Sequence, residues 1–210
     1  MIELFLSAFV TLFVVIDPPG CAPIYAGLTS GASAVQRRAM AIRACLIAGV
    51  ILVVFALFGA DLLGALHIDL DSFRIAGGIM LFIIALEMVF EKRTQRREER
   101  AEKVSADPEA DDVSVFPMAM PMLAGPGAIA AVMLLENEAK GLEGTLVVLA
   151  ALAAVLALTA LALLAASPLM KLVGARVEAV ITRLLGVLLA ALAAQYVIDG
   201  LKNSFAPVLA

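Results

Sequence analysis

Apolar residues in this chain do not alternate with polar ones. They run in six long blocks: Leu4–Leu28, Met40–Leu62, Ser72–Phe90, Phe116–Leu135, Gly144–Ala166 and Ala179–Gly200. A run of about 18 or more apolar residues is long enough, as a helix rising about 1.5 Å per residue, to cross a hydrocarbon core about 30 Å thick. The pattern therefore predicts an all-α integral membrane protein of six transmembrane helices. The connections are short except for one, residues 92–115, which begins KRTQRREER. Its charge predicts a solvated linker, excluded from burial and helical at its start as an extension of the third block.

Composition sharpens this picture. Hydrophobic residues make up 63% of the 210 residues and charged residues 16%, and the mean hydropathy is +1.03. The length goes into spans and leaves no room for a soluble domain. The first block is read as a span and not as a secretory signal, because Glu3 stands where a basic region would be needed. Nucleic acid is excluded as a partner: the basic run near residue 92 passes at once into an acidic one, with no sustained basic face. The partners implied are the lipid bilayer and a small solute. Cys21 and Cys45 both fall in apolar blocks and read as small fillers. His67 is the one histidine and falls in an outer loop, so no metal site is expected.

Lys and Arg favour the cytoplasmic side of a membrane. With both termini periplasmic, Arg37, Arg38, Arg43, Lys92, Arg93, Arg96, Arg97, Arg100, Lys103, Lys171, Arg176 and Arg183 lie inside, and only Arg74, Lys140 and Lys202 lie outside. That orientation makes the charged linker cytoplasmic.

The chain also resembles itself. Ile16-Asp17-Pro18-Pro19-Gly20 in the first block has a counterpart in Leu123-Ala124-Gly125-Pro126-Gly127 in the fourth. Phe73-Arg74-Ile75-Ala76-Gly77 in the third has one in Thr182-Arg183-Leu184-Leu185-Gly186 in the sixth. The order and near-equal spacing of these markers predict two three-helix repeats, residues 1–91 and 116–210, joined by the linker of residues 92–115. Three spans per repeat force the second repeat to be inverted, as in many secondary transporters.

Prolines at mid-block point to the chemistry. Proline lacks an N–H and clashes with the carbonyl four residues back. Pro18 and Pro19 would free the carbonyls of Val14 and Val15, and Pro126 that of Met122. Helices 1 and 4 should both be broken at mid-membrane, facing protein or a watery cavity because lipid cannot satisfy backbone groups. Each break starts a half-helix whose unpaired N–H groups and positive dipole end suit a carboxylate. The candidate binding residues are Asp17, Pro18, Pro19 and Gly20 from the first break, and Gly125, Pro126, Gly127 and Ala128 from the second. Asp17 is a carboxylate at mid-bilayer, where charge is costly. It serves either as a cation, amine or proton site or as the cap of the half-helix beginning near Gly20. Arg74 and Arg183, in the first turns of their blocks, either snorkel to the headgroups or gate the two mouths. The solute implied is a small zwitterion. No cofactor is called for, and a proton or a sodium ion is the candidate coupling ion.

The IDPPGCAPIY and AGPGAI segments, in this order within six blocks, resemble the MarC family of bacterial inner-membrane proteins, over nearly the whole chain. Some members of that family are neutral amino acid transporters of the SnatA type. The resemblance therefore implies transport of glycine, alanine or similar solutes, and it maps the motifs onto Asp17, Pro18, Gly20 and Pro23 and onto Gly125, Pro126, Gly127 and Ile129. Two departures stand out. Many relatives carry Asn where this chain has Asp17, which favours the capping role. Many also carry hydroxyl residues where Ala130 and Ala131 stand. The alternative to a transporter is a channel or a structural or regulatory membrane protein. An intramembrane enzyme lacks its paired aspartates, Ser–His pair or zinc motif, and a thiol relay lacks its second thiol, since the position that matches Cys21 is Ala128.

Overall fold

The computed structural model describes residues 1–105 and 112–209 of the chain. The linker residues 106–111 and the side chains of Lys103, Lys171 and Arg176 lie outside the described residues. The protein is all-α. Helix α1 (Ile2–Ile16) and α2 (Pro18–Leu28) are the two halves of the first span. They are followed by α3 (Ala34–Ala65), α4 (Leu70–Val89) and α5 (Lys92–Ser105). An irregular segment, Ser114–Leu123, leads into α6 (Pro126–Glu138), then α7 (Gly141–Leu164) and α8 (Ala166–Leu209). Five stretches among the described residues are long and apolar enough to cross a membrane, and the bent pair Ser114–Leu123 and α6 makes a sixth. Leu46, Val50, Val54 and Phe58 on α3, and Leu184, Val187 and Leu188 on α8, are exposed. Apolar side chains on the outside of so large a surface require an apolar solvent.

The first span breaks where the prolines fall. Asp17 ends α1 with φ 59° and ψ 64°, a left-handed conformation that aspartate tolerates better than most residues. Pro18 and Pro19 then occupy the first turn of α2, where a missing N–H costs nothing. The prolines thus start the second half-helix.

The fourth span differs from its sequence expectation. A broken helix over Phe116–Leu135 was expected, but Ser114–Leu123 holds extended residues at Phe116 (φ −128°, ψ 128°) and Met120 (φ −122°, ψ 130°). Each precedes a proline, Pro117 and Pro121, whose ring crowds the preceding residue out of the helical region. The chain then bends by 53° into α6.

The main packings of the described residues are unchanged when the two halves are exchanged. Helix α1 packs on α7 as Ser114–Leu123 packs on α3. Likewise α2 packs on α7 and α8 as α6 packs on α3 and α4, while α3–α7 and α4–α8 pair with their own counterparts. Helices α4 and α8 run antiparallel and nearly touch: a Cβ on Gly78 would lie 2.9 Å from the Ala193 carbonyl oxygen, and one on Gly186 would lie 2.9 Å from the Met88 Cβ. Small residues at such an interface let helices gain dispersion contact that lipid would otherwise supply.

Helix α5 stands outside this exchange, packing on α2, α4 and Ser114–Leu123. It does not extend α4: Glu91, with φ 59°, turns the chain between them. Nor is the linker wholly solvated, since Arg97 is buried at 7% exposure. The expectation failed because it weighed each charge alone, and Arg97 is neutralised by a partner buried with it.

Candidate functional site

That partner is Asp17. One carboxylate oxygen, Oδ1, accepts a hydrogen bond from the Gly20 N–H at 3.1 Å and so caps α2. The other, Oδ2, lies 2.9 Å from Arg97 Nη1. The two side chains are 1% and 8% exposed. Four residues earlier on the same face of α5, Arg93 donates through Nη2 to the Val15 carbonyl at 2.6 Å and through Nη1 to the Met88 sulfur at 3.0 Å. The Val15 carbonyl is one of the two that the prolines free. Cys21 Sγ donates to the Ile16 carbonyl at 3.5 Å, which adds a third tie at the break.

The second break has no such cap. Gly125 precedes α6 with φ −80° and ψ 172° and offers no side chain, and Pro126 takes the first helical position. The Ile129 N–H returns to the Gly125 carbonyl at 3.0 Å. Among the described residues, no partner inside the protein accepts from the N–H groups of Gly127 and Ala128, which are the donors a helix N-terminus leaves over. Gly127 and Ala128 line a cavity of about 500 Å³. Its walls include Val15 from the first break, Gly125–Ala128 from the second, Ile83 and Ile84 from α4, and Arg93, Arg96, Arg97 and Arg100 from α5. A site of this size with one apolar wall and a few convergent polar groups is what a small ligand needs. Here those groups are the four arginines of α5 and one carboxylate, Glu87, which pairs with Arg96.

The cavity gathers Gly125, Pro126, Gly127 and Ala128, but Asp17, Pro18, Pro19 and Gly20 are not among the residues that line it. Arg74 and Arg183 lie towards opposite ends of the α4–α8 pair. Arg74 reaches Asp71 at 3.2 Å and Glu138 at 4.0 Å, and its buried Nε has no partner among the described residues. Arg183 pairs with Glu91. Glu87, near the C-terminal end of α4, pairs with Arg96. Tyr25 is buried and donates to the Arg37 carbonyl, away from the cavity walls named above.

Sequence reasoning missed the arginines of α5. Their numbers, 93, 96, 97 and 100, follow the i, i+3, i+4, i+7 spacing of one helical face. That spacing was the available signal.

Fold and site together define a multi-pass α-helical membrane protein with a largely apolar, arginine-edged cavity beside two interrupted spans. The sequence profile described as MarC family integral membrane protein matches residues 2–205, and the chain belongs to that family. It is 35% identical over 209 residues to the UPF0056 membrane protein YvbG of Bacillus subtilis, covering 100% of this chain and 99% of that one. It is 34% identical over 203 residues to a UPF0056 membrane protein of Methanocaldococcus jannaschii, covering 97% and 98%. The UPF0056 inner membrane protein YhgN of Escherichia coli is 32% identical over 197 residues, covering 94% and 95%. No solved structure matches the chain.

Proposed function

We propose that this protein is a secondary transporter of the inner membrane and that it moves a small zwitterion, a neutral amino acid such as glycine or alanine. The observation that carries the reading is the pair of open N–H donors at Gly127 and Ala128 in a cavity with an arginine-lined wall. A helix N-terminus and guanidinium groups both favour a carboxylate. The cavity is large enough to admit a solute of a few heavy atoms and offers it an apolar wall. The exchange symmetry of the packing supports two inverted repeats around this site, the architecture that permits alternating access. The side chain of Asp17, capping Gly20 and paired with Arg97, is in place to hold the break, which favours the capping role over a proton carrier. The membrane orientation in this reading has both termini periplasmic and α5 cytoplasmic, as the charge distribution requires.

The test is uptake of labelled glycine and alanine into proteoliposomes, with and without a proton or sodium gradient. Saturable uptake that a gradient drives above equilibrium is expected. Uptake that never saturates would make the protein a channel, and no uptake of either solute would overturn the reading.

A further inference from the structure

Asp17 and Arg97 come from positions 80 residues apart and meet inside the protein, at the one place where the first span is interrupted. Arg97 lines the cavity, whereas Asp17 is not among the residues that do. The guanidinium therefore lies between the carboxylate and the space a solute would enter. Arg93 holds the freed Val15 carbonyl from the same face of α5. Together these contacts pin α5 across the break.

We propose that the Asp17–Arg97 pair is the element that recognises the solute, and that the solute binds by splitting it. The incoming carboxylate accepts from Arg97 and from the N–H groups of Gly127 and Ala128. The incoming ammonium donates to the Asp17 carboxylate that Arg97 has left. This proposal rests on the transporter reading and specifies which class of solute that site selects.

The argument is one of charge conservation in a dry site. Arginine stays protonated in proteins, so Arg97 leaves Asp17 only for another anion. A carboxylate without an amine would strand Asp17 as an unpaired buried charge. An amine without a carboxylate would strand Arg97. Breaking a buried pair is expensive because of the charge left behind. A zwitterion replaces both partners at once and leaves nothing unpaired. The neighbouring arginines hold other groups: Arg93 a carbonyl and a sulfur, and Arg96 the Glu87 carboxylate. Because Arg97, together with Arg93, ties α5 to the break, its release also loosens α5 over the cavity. Binding and opening towards the side that holds α5 are then one event.

The experiment compares alanine with its two halves on the full-length protein in proteoliposomes. Propionate lacks the amine and ethylamine lacks the carboxylate. Each competes with labelled alanine uptake, and their inhibition constants are compared with that of unlabelled alanine. Expected is a weakening of about 100-fold or more for both halves, the ratio that an uncompensated buried charge imposes. Propionate competing within a few-fold of alanine would overturn the exchange while leaving the transporter reading intact. Failure of the wild-type protein to take up alanine or glycine at all would overturn both. A second arm uses the neutral pair Asp17→Asn with Arg97→Gln, whose folding is checked by size-exclusion and thermal unfolding. Its binding should no longer distinguish alanine from propionate. Discrimination equal to wild type would count against the proposal. If this variant does not fold, the wild-type inhibition series decides alone.

Discussion

Gly20 sits so close to Asp17 that a Cβ on the glycine would lie 2.3 Å from the Asp17 Oδ2 that holds Arg97. The capping hydrogen bond brings the carboxylate over the first turn of α2, and only a residue without a side chain leaves room for it there. Gly20→Ala is therefore expected to force Asp17 away from Arg97, from the Gly20 N–H, or from both. The expected loss is about 2–4 kcal/mol, between the cost of a lost cap and that of a broken buried pair. Thermal unfolding of the purified protein checks it, and a change below about 0.5 kcal/mol, the range of an ordinary surface substitution, would mean that the carboxylate is not confined as described.

The ion pair itself yields a sign that separates its members. Arg97→Leu leaves a buried carboxylate without a counter-charge, at a cost of about 3–5 kcal/mol. Adding Asp17→Asn to that variant removes the stranded charge and keeps a side chain able to cap α2, since Asn and Asp cap about equally well. The double variant should thus be more stable than the Arg97→Leu single variant. A double-mutant cycle by denaturant or thermal unfolding reads this directly, and additive losses would show that the two residues are not coupled.

The α4–α8 interface is expected to be the least tolerant surface outside the site. Replacing Gly78 with Leu would drive a side chain into the Ala193 carbonyl, whose helix cannot give way without parting from α4. Overpacking of this kind costs about 1–3 kcal/mol. Gly27→Leu, where a Cβ would meet nothing within 4 Å, serves as the matched control and should be nearly neutral.

Orientation is tested by a single exposed position on α5. Glu99→Cys should react with a membrane-impermeant maleimide only after cells are permeabilised, because the proposed orientation, drawn from the distribution of Lys and Arg, has this helix cytoplasmic. The native Cys21 and Cys45 are both buried and should contribute little background. Labelling of intact cells from outside would reverse the topology.

The spans were legible in the sequence because a bilayer imposes length and apolarity on every helix that crosses it, whatever lies at its centre. The break at Asp17 was legible for a similarly local reason: two consecutive prolines and a glycine leave a helix no way to continue. Ser114–Leu123 was not, although Pro117 and Pro121 stand in plain view. Their effect falls on Phe116 and Met120, apolar residues whose hydropathy gives no hint of extended backbone. The place of Arg97 was the least accessible. A charge in a basic stretch reads as solvated unless its partner is known, and the partner lies 80 residues away in a different span. The two half-helix ends already differed in sequence, with Asp17 in the first matched by Ala124 in the second. The structure shows the consequence: the α2 end is filled by its own Asp17, while Ala124 and Gly125 supply no cap to the α6 end.

The central claim is that the open N-terminus of α6 holds the carboxylate of a small solute. Gly127 is its most sensitive position: a Cβ there would reach within 2.4 Å of the Ile84 Cδ1 and 3.5 Å of a Val15 methyl, on the cavity side of the helix. The measurement is equilibrium binding of labelled alanine to purified wild-type protein and to Gly127→Val, alongside thermal unfolding of each. Saturable binding by the wild type is expected, with binding lost in the variant while the folded state persists. Equal binding by a folded Gly127→Val protein would place the solute elsewhere and contradict the assignment.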